Sequence, residues 1–425
     1  MKVVDLGING EGIAKEDGKV YFVKGALVGE DVTVKKCVEK SRFTNCEVDR
    51  ILVKSKDRVK PQCPYFSVCG GCQIQHLCYE KQLEYKQKLV KETLKKVGGF
   101  DTEVEECIAS PKEYFYRNKN VFPVFFEDGH SQIGMFMENS KTCVEIEKCF
   151  IAEPEINRVL KITSDFLKDK FIEGFRYLVV RSVDGKVIIT LVVEKKEISF
   201  LKKYLQTLQM NLKDFILNLN INTDKNTILS NEFISVYGDD SIATEDMGIQ
   251  HSINAGSFIQ VNNEIREKLY ASVLENFSEN DIVIDAYCGA GLLSAMIARK
   301  VRYCYGVEIS TEAIKAANDM QRKNKIDNLY FINGDCDKEI PSLLENIEEE
   351  FSVILDPPRK GCTENVLNGI VAVRPQKVVY VSCNPITLAK DLKILVNGGY
   401  KLKKVQPFDM FPQTSNVETL VILEK

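Results

Sequence analysis

The last third of the sequence places carboxylates and one thiol where predicted strands end. Five predicted strands in this region each have, at or just past their carboxyl end, a side chain that can do chemistry. Open α/β sheets bind their ligands in the crevice at the carboxyl ends of their strands, so these side chains are expected to share one cleft. The five residues are Asp285, Glu308, Asp335, Asp356 and Cys383.

The loop after the first of these strands fits a nucleoside ligand. It has the sequence Asp285-Ala-Tyr-Cys-Gly289-Ala-Gly291, and its glycines let the backbone approach a ligand closely before a helix begins. Glu308 follows Asp285 by 23 residues, about the distance at which an acidic residue reaches a ribose hydroxyl pair. Ser294 stands where a dinucleotide fingerprint has its third glycine, which favours a nucleoside without pyrophosphate, such as S-adenosylmethionine, over NAD. The alternative is an ordinary strand-to-helix turn with solvated acids.

Two further segments carry groups suited to nucleophilic chemistry. Asp356-Pro-Pro-Arg359 follows an apolar run, and its two prolines fix an extended loop that would hold the Asp356 carboxylate still. Cys383 precedes a helix expected from about Thr387, and a helix N-terminus lowers the pKa of a nearby thiol. Glu418 lies on the last predicted strand. Alone, an Asp-Pro-Pro turn or a packed cysteine is commonplace, but the combination indicates a reactive thiol beside carboxylates.

Four cysteines nearer the start of the chain have the spacing of a metal centre. Cys63, Cys69 and Cys72 form C-x5-C-x2-C, and Cys149 supplies a fourth thiolate after a long insertion. Because the whole chain has 3 histidines, thiolates must dominate any metal site. Four thiolates suit a [4Fe-4S] cluster or an all-thiolate zinc site, and the spacing leaves both open. A radical S-adenosylmethionine enzyme fits less well, since its triad is usually C-x3-C-x2-C; four unrelated cysteines are the remaining alternative.

One segment has the composition of an RNA-binding surface. Tyr114-Phe-Tyr-Arg-Asn-Lys119 interleaves aromatic rings with cations, as stacking on unpaired bases requires. Alternating aromatics are equally typical of a strand that packs into a core, so the pattern supports both interpretations.

Three predicted domains must position these groups. Residues 1–55 alternate apolar and polar positions in short runs broken by turn signals, which predicts a small antiparallel β-barrel or sheet. Residues 56–245 predict a mixed α+β domain with a helical excursion at 79–97 and a hairpin at Asp184-Gly185. In residues 246–425 strands alternate with helices, which predicts a Rossmann-like α/β domain with helices on both faces of a parallel sheet.

The composition excludes several classes of protein. With 425 residues, 44% hydrophobic and 28% charged positions, and a net charge of -4, the chain is not a polybasic nucleic-acid binder. The first 100 residues hold 19 Lys and Arg against 13 Asp and Glu, so a surface facing a polyanion is expected there. No apolar run suggests a membrane span, and no signal peptide is apparent, which predicts a cytoplasmic protein. The 14 cysteines are therefore expected to be reduced thiols, metal ligands or a nucleophile.

Five motifs together resemble the RNA uracil-5-methyltransferases, most closely those that modify 23S ribosomal RNA. Residues 1–53 also resemble the TRAM domain, an RNA-binding barrel carried by this family, so the resemblance spans nearly the whole chain. The motifs are Ser257-Phe-Ile-Gln260-Val-Asn262, Asp285-Ala-Tyr-Cys-Gly-Ala-Gly, Asp356-Pro-Pro-Arg-Lys-Gly, Tyr380-Val-Ser-Cys383-Asn-Pro and Phe411-Pro-Gln-Thr-Ser-Asn-Val-Glu418.

The resemblance implies roles for individual residues. Cys383 would add to C6 of a uracil so that C5 can take the methyl group of S-adenosylmethionine, and Glu418 would then remove the C5 proton. Among the donor residues Glu308 would hold the ribose, while Asp356 would serve either the methionine moiety or the uracil N3-H. The resemblance also selects the [4Fe-4S] cluster at the four cysteines. The residues expected at the methyl donor are Gln260, Tyr287, Gly289, Glu308, Asp335 and Asp356.

The expected substrate is an unpaired uridine in ribosomal RNA, because the target base must leave its stack to reach Cys383. Family members often have His near the base, whereas Asn416 stands here two residues before Glu418, which we expect to alter tuning rather than mechanism. A monomer without membrane association is expected. The alternatives are a tRNA uracil-5-methyltransferase, an RNA cytosine-5-methyltransferase, an amino-methyltransferase, and an RNA-binding iron-sulfur protein whose methyltransferase fold has lost activity.

Overall fold

The N-terminal strands form a five-stranded sheet whose two edges meet. In the computed structural model, which describes residues 1–345 and 349–425, the strand order is β1-β2-β3-β5-β4. An isolated bridge between Lys2 and Asp31 joins the edge strands, and the Val32 amide donates to the Met1 carbonyl at 3.0 Å. The sheet therefore closes on itself around a small apolar core, as expected for a barrel, but β3 and β5 pair in parallel, whereas the sequence pattern predicts antiparallel pairs. Its strands are β1 (Val3–Leu6), β2 (Gly12–Glu16), β3 (Lys19–Lys24), β4 (Asp31–Glu39) and β5 (Thr44–Val53).

One pair of cysteines departs from the expectation of reduced thiols. Cys37 and Cys46 form a disulfide between β4 and β5, with their Cα atoms 4.2 Å apart. The pairing of the two strands is irregular between Lys35 and Val38, and Lys36 adopts a positive φ of 49°. This bulge brings the two cysteines opposite each other, a local irregularity that the alternating sequence pattern does not reveal.

The predicted helix after the cysteine motif is present. Helix α1 (Tyr79–Thr93) continues into a π-helical turn at Leu94–Gly98, and Gly99, with φ of 82°, ends it. Gly99 is required there because the left-handed conformation is costly for residues with a Cβ atom.

A mixed seven-stranded sheet follows, with order β12-β11-β10-β9-β6-β7-β8. Strands β10 and β11 are parallel and the other pairs are antiparallel; the predicted hairpin at Asp184-Gly185 joins β9 to β10. Helices α2 (Pro154–Leu167) and α3 (Leu201–Asn211) pack an apolar core against one face of this sheet. The strands are β6 (Lys119–Glu127), β7 (His130–Phe136), β8 (Cys143–Glu145), β9 (Phe175–Val183), β10 (Lys186–Val193), β11 (Phe215–Ile221) and β12 (Phe233–Tyr237).

The C-terminal part has the predicted Rossmann-like arrangement. A hairpin of β13 and β14 and helix α4 precede a seven-stranded sheet of order β17-β16-β15-β18-β19-β21-β20. Five of these strands are parallel, and β21 runs antiparallel to both β19 and β20. Side chains alternate between the two faces, which pack against helices α7, α8 and α9 on one side and α4, α5 and α6 on the other.

The elements of this part are β13 (Ile242–Asp246), β14 (Ile249–Ile253), α4 (Asn263–Leu274), β15 (Ile282–Ala286), α5 (Leu292–Ala298), β16 (Tyr303–Glu308), α6 (Thr311–Asn324), β17 (Leu329–Asn333), α7 (Cys336–Glu345), β18 (Ser352–Leu355), α8 (Glu364–Val373), β19 (Lys377–Ser382), α9 (Pro385–Asn397), β20 (Lys401–Phe408) and β21 (Glu418–Glu424). Helix α9 begins two residues before the position predicted for it, with Asn384 as its cap.

The chain divides into two compact units. The first contains residues 1–85, 112–241 and 411–415, and the second contains residues 86–111, 242–410 and 416–425. Both the N-terminal and the mixed sheet lie in the first unit, whereas the Rossmann-like sheet lies in the second. The three-domain division made from the sequence stays a prediction about separable folding units. Among the described residues, no helix is both long and apolar enough to cross a bilayer.

Candidate active site

The sheet order of the second unit brings the predicted thiol and carboxylates to one edge. The order reverses between β15 and β18, the kind of switch point at which α/β sheets bind ligands. Asp356 follows β18, and Cys383 follows the neighbouring strand β19. Because β21 is antiparallel to β19, its first residue, Glu418, lies at this same edge, next to Cys383 in the ladder that pairs Ser382 with Thr419.

Cys383 is half-buried and faces charges of both signs. Burial raises the pKa of its thiol to about 11, and the carboxyl groups of Glu418 and Asp356 act in the same direction. Arg359 opposes them, both through its positive charge and through a hydrogen bond to the thiol. The thiolate needed for nucleophilic attack is therefore disfavoured by its surroundings and supported by this guanidinium.

Glu418 is almost completely buried, with 1% of its surface exposed. Burial raises the pKa of this carboxyl group well above its ordinary value, the charge of Asp356 adds to the effect, and Arg359 reduces it. Burial also raises the pKa of Asp356, to about 7. A carboxyl group whose pKa has been raised toward neutrality is suited to proton transfer.

Arg359 is the functional residue that the sequence argument left without a role. Its guanidinium also donates to the Asn416 side-chain oxygen at 2.9 Å, two residues before Glu418. Arg359 thus links the loop after β18 to the nucleophile and to the segment that carries the candidate base. The signal available in the sequence was a cation directly after a strand-end Asp-Pro-Pro.

The predicted nucleoside loop is also assembled. The Gly289 amide donates to one carboxylate oxygen of Glu308 at 3.2 Å, and the Ser310 amide donates to the other at 2.8 Å. Gly289 and Tyr287 both have positive φ values, 56° and 68°, and a half-buried tyrosine held in that conformation marks a constrained turn. Strand ends β15 and β16 therefore bring Tyr287, Gly289 and Glu308 together.

The serine at the position of the missing third glycine has a clear structural role. The Ser294 hydroxyl, in the first turn of α5, donates to the buried Asp285 carboxyl group at 2.5 Å. Burial raises the pKa of Asp285 to about 7, and this hydrogen bond acts against that rise. Asp285 thus fixes the start of α5 from inside the fold.

Two other residues predicted to bind the methyl donor lie outside these contacts. Asp335 is exposed, and its carboxylate accepts the Asp337 amide at 3.0 Å, as a cap of helix α7 does. Gln260 is buried in the segment between β14 and α4, just before Asn262, which caps α4. For both residues, binding of the methyl donor stays a prediction.

The four predicted metal ligands lie in the first unit and interact with one another. Cys63, Cys69, Cys72 and Cys149 are half-buried; burial is the main cause that raises the thiol pKa of the first three, and the Cys149 thiol adds to each rise. Residues 1–345 and 349–425 contain no group of three or more His, Cys, Asp or Glu side chains arranged to hold a metal ion. The [4Fe-4S] cluster and the zinc alternative are therefore not confirmed.

Donors nevertheless converge on these sulfurs. The Gly71 amide donates to the Cys69 sulfur at 3.3 Å, and the Asn120 side chain donates to the Cys149 sulfur at 3.5 Å. The buried Gln75 side chain hydrogen-bonds to the Cys72 sulfur, while its oxygen accepts the Cys63 amide at 3.3 Å. Amide donors aimed at sulfur are characteristic of thiolates that hold iron-sulfur clusters.

The aromatic and cationic segment divides between core and surface. Tyr116 is buried, and its hydroxyl donates to the Pro412 carbonyl at 3.0 Å. Phe115 is half-buried with a positive φ of 55°, and the Lys148 ammonium lies 4.6 Å from its ring centroid and 5.2 Å from that of Phe150. Lys119 begins β6, where burial and the nearby Arg181 and Arg117 lower its pKa to about 8.

Known proteins show which family this chain resembles. The model of the tRNA (uracil-5-)-methyltransferase family matches residues 78–425. A protein of Clostridium tetani named as an uncharacterized RNA methyltransferase is 36% identical over 99% of this chain and 95% of its own length. One of Listeria innocua with the same description is also 36% identical, over 100% of this chain and 96% of its own.

A solved structure shows the same fold. The tRNA (uracil-54, C5)-methyltransferase of Pyrococcus abyssi, determined with S-adenosyl-L-homocysteine, matches 100% of this chain and 99% of its own with a TM-score of 0.78 and 24% identity. Fold, family model and relatives agree with the resemblance seen in the motifs. The chain is an RNA methyltransferase and belongs to the RNA uracil-5-methyltransferase family.

Proposed function

We propose that the chain methylates C5 of a uridine in 23S ribosomal RNA through a covalent bond between Cys383 and C6 of the uracil. One observation carries the proposal: the half-buried Cys383 thiol and the buried Glu418 carboxyl group lie at adjacent strand ends, and Arg359 is hydrogen-bonded to the thiol. Uracil C5 is too weak a nucleophile to take a methyl group directly. An enzyme that acts there must first add electron density to the ring.

The steps use groups at this edge of the sheet. The Cys383 thiolate forms a bond to C6, and the electron pair of the C5–C6 double bond moves into an enolate. C5 then attacks the methyl carbon of S-adenosylmethionine, which supplies the methyl group and leaves as S-adenosylhomocysteine. Glu418 removes the proton from C5, the double bond re-forms, and the thiolate leaves C6. Tyr287, Gly289 and Glu308 are the residues that would hold the nucleoside part of the donor, with Gln260, Asp335 and Asp356 as further donor residues.

The charged groups in the pocket influence the protonation of both the nucleophile and the base. Both the thiol and the carboxyl group of Glu418 have raised pKa values, so the pocket without ligands favours their neutral forms. Arg359 acts on both groups in the opposite direction. A positively charged sulfonium in the same cleft would also favour the ionised thiol and carboxyl group.

A mechanism-based trap tests the proposal. A transcript containing 5-fluorouridine should form a covalent, methylated adduct with the wild-type protein, because fluorine at C5 cannot be removed as a proton can. Cys383→Ala should give no adduct, whereas Cys362→Ala keeps Cys383 and should still give one. With an ordinary uridine substrate, Glu418→Gln should accumulate adduct and release product slowly. An adduct that persists in Cys383→Ala would contradict the assignment of the nucleophile.

The choice of RNA rests on the N-terminal barrel and the four cysteines, which resemble those of enzymes that act on ribosomal RNA. Transfer RNA is the second candidate, because the matching family model and the Pyrococcus abyssi enzyme are both named for tRNA. Mapping 5-methyluridine in 23S ribosomal RNA and tRNA from a deletion strain decides between them. Loss confined to tRNA would overturn the ribosomal assignment.

The [4Fe-4S] cluster is part of this proposal, held by Cys63, Cys69, Cys72 and Cys149. Amide donors to the sulfurs of Cys69, Cys72 and Cys149 would stabilise the thiolate forms that a bound cluster requires, against the effect of burial. The cluster would supply no catalytic step; it would pin the loops that carry the four cysteines against the first unit. Anaerobically purified protein should be brown with broad visible absorption and lose its iron in Cys149→Ser but not in Cys143→Ser, a half-buried cysteine outside the set. Colourless protein with bound zinc would overturn this assignment.

The same proposal identifies the N-terminal barrel as a TRAM domain that contacts RNA and places the protein in the cytoplasm. Deleting residues 1–55 should then weaken RNA binding and leave the affinity for S-adenosylhomocysteine unchanged. Equal loss of both would show that these residues serve folding.

A further inference from the structure

A buried carboxylate in helix α9 contacts the loop that carries Arg359. Asp391 is 6% exposed, and one of its oxygens accepts two hydrogen bonds. The Tyr380 hydroxyl donates to it at 2.5 Å, and the Cys362 backbone amide donates to it at 2.8 Å. The carboxylate therefore ties helix α9 to strand β19 and to the loop at residues 356–362, although it lies outside the catalytic groups described above.

The loop is shaped to meet this carboxylate. Gly361 has a positive φ of 81°, and a Cβ atom there would lie 2.6 Å from the Asp391 oxygen, so only glycine allows the approach. The Gly361 amide donates to the Pro358 carbonyl at 2.9 Å and closes a turn. The backbone of this turn is thus held by its own hydrogen bond and by the contact with Asp391 of helix α9.

The start of the same helix holds the loop at a second point. The Arg359 carbonyl accepts the Asn384 side-chain amide at 3.1 Å and the Thr387 hydroxyl at 3.3 Å. Helix α9 therefore grips the loop at Arg359 through its first turn and at Cys362 through Asp391. These contacts fix the backbone at Arg359 and at Cys362, and so the point from which the Arg359 side chain extends to its hydrogen bond with Cys383.

Cys362 connects these contacts to the loop after β15, which is expected to bind the methyl donor. Its thiol donates to the Tyr380 oxygen at 3.6 Å and also hydrogen-bonds to the hydroxyl of Tyr287. The tyrosine of the nucleoside loop and the arginine beside the nucleophile are in this way connected through one short segment of chain.

We infer that Asp391 and Tyr380 are positioning residues that hold the 356–362 loop so that Arg359 contacts Cys383, and that they set the reactivity of the nucleophile through this arginine. The inference rests on the proposed function only in naming Cys383 as the nucleophile. Its geometry stands on hydrogen bonds within the second unit.

The sign of the effect separates this role from a direct electrostatic one. The charged groups that act on the Cys383 thiol are Glu418 from β21 and Asp356 and Arg359 from the loop. If Asp391 instead acted directly on the thiol as an anion, removing its charge would lower the thiol pKa, because an anion disfavours the thiolate. Releasing Arg359 would raise it, because the thiolate loses a cation and a hydrogen bond.

The test measures alkylation of Cys383 by iodoacetamide as a function of pH, in the full-length protein without RNA or methyl donor, by mass spectrometry of the peptide that contains this residue. Below the thiol pKa the alkylation rate follows the thiolate fraction, so Asp391→Asn should displace the whole profile upward by about one pH unit, which is about tenfold slower alkylation at a given pH. Tyr380→Phe should displace it in the same direction by less. In an Arg359→Ala background, where the profile is already displaced to higher pH, neither substitution should displace it further, because both act through the missing arginine.

Tyr400→Phe is the matched control. It removes a buried tyrosine hydroxyl of the same unit, which donates to the Pro375 carbonyl at 2.8 Å, and should lower stability without moving the profile. The inference is overturned if folded Asp391→Asn and Tyr380→Phe both keep the wild-type profile, if Asp391→Asn displaces it to lower pH, or if the shifts persist without Arg359. Since alkylation needs neither RNA nor methyl transfer, failure of the proposed reaction would appear separately, as loss of the 5-fluorouridine adduct.

Discussion

At the scale of single residues, reactivity at the candidate site depends on one exposed guanidinium that faces a thiol and a buried acid. Arg359 opposes the effect of burial on both Cys383 and Glu418. A cation within a few ångströms lowers the pKa of an acidic group by about 1–3 units. The arginine is therefore expected to govern how much thiolate is present near neutral pH.

Arg359→Ala should slow formation of the 5-fluorouridine adduct about tenfold or more at pH 7.5. The pKa of Cys383 is about 11, so in wild type the rate should rise with pH throughout the range from 6 to 9, and in the variant the same rise should begin at a higher pH. Lys360→Ala, which removes the exposed cation next in sequence, is the control and should behave as wild type. An unchanged rate in Arg359→Ala would show that the thiol is activated by another group.

Asp285→Asn should stabilise the protein at alkaline pH. Because the folded-state pKa of Asp285 is raised to about 7, the folded protein binds more protons than the unfolded chain between pH 4 and 7, and stability falls as pH rises through this window. Asparagine keeps an oxygen for the Ser294 hydroxyl without a charge to bury. The melting temperature of the variant should exceed that of wild type by about 3 °C or more at pH 8.5 and approach it at pH 5. A lower melting temperature at every pH would mean that the charged form is the stable one.

At the scale of elements, strand ends were the most readable feature of the sequence. The apolar runs predict β15, β16, β18 and β19 well, because each strand is short and largely buried and ends within a residue of the side chain singled out in the sequence: Asp285, Glu308, Asp356 and Cys383, respectively. The direction and place of β21 could not be read in this way. Its position between β19 and β20 depends on long-range pairing, and this pairing alone brings Glu418 beside Cys383.

Side-chain partners inside the site were likewise beyond the sequence. The sequence does not predict that the cation after Asp-Pro-Pro contacts Cys383. It also does not predict that Asp391, one position in a helical pattern, contacts Gly361. The disulfide between Cys37 and Cys46 depends on a bulge, which a periodic pattern hides. Local patterns specify elements, whereas these contacts are made where separate elements meet.

Two strand-end acids predicted to bind the donor should respond differently to removal. Glu308 accepts the Gly289 amide within the nucleoside loop, whereas Asp335 accepts the Asp337 amide and caps α7. Glu308→Ala should raise the dissociation constant for S-adenosylhomocysteine about tenfold or more, as expected when hydrogen bonds to a charged group are lost. Asp335→Ala should change it far less. Titration calorimetry on both variants measures the two dissociation constants. Equal losses of affinity would show that Asp335 also binds the methyl donor.

At the scale of the whole molecule, the net charge of -4 requires RNA to be bound by local surfaces. The Lys148 ammonium lies over the rings of both Phe115 and Phe150, whose centroids are 6.3 Å apart, in the loop that carries Cys149. A cation and half-buried rings at one place can bind a phosphate and stack on an unpaired base. This surface is the structural counterpart of the aromatic and cationic pattern in the sequence.

Lys148→Ala should therefore weaken binding of a single-stranded RNA several-fold and reduce the slope of log affinity against log salt by about one, the loss expected for one phosphate contact. Lys170→Ala is the matched control, because Lys170 makes the same kind of contact, 4.5 Å from the centroid of Phe166, in the same unit. The measurement is fluorescence anisotropy at several salt concentrations, with S-adenosylhomocysteine affinity as a check that the site is intact. If both lysines lower affinity and slope equally, the effect is one of general charge, and RNA does not use the surface formed by Phe115, Lys148 and Phe150.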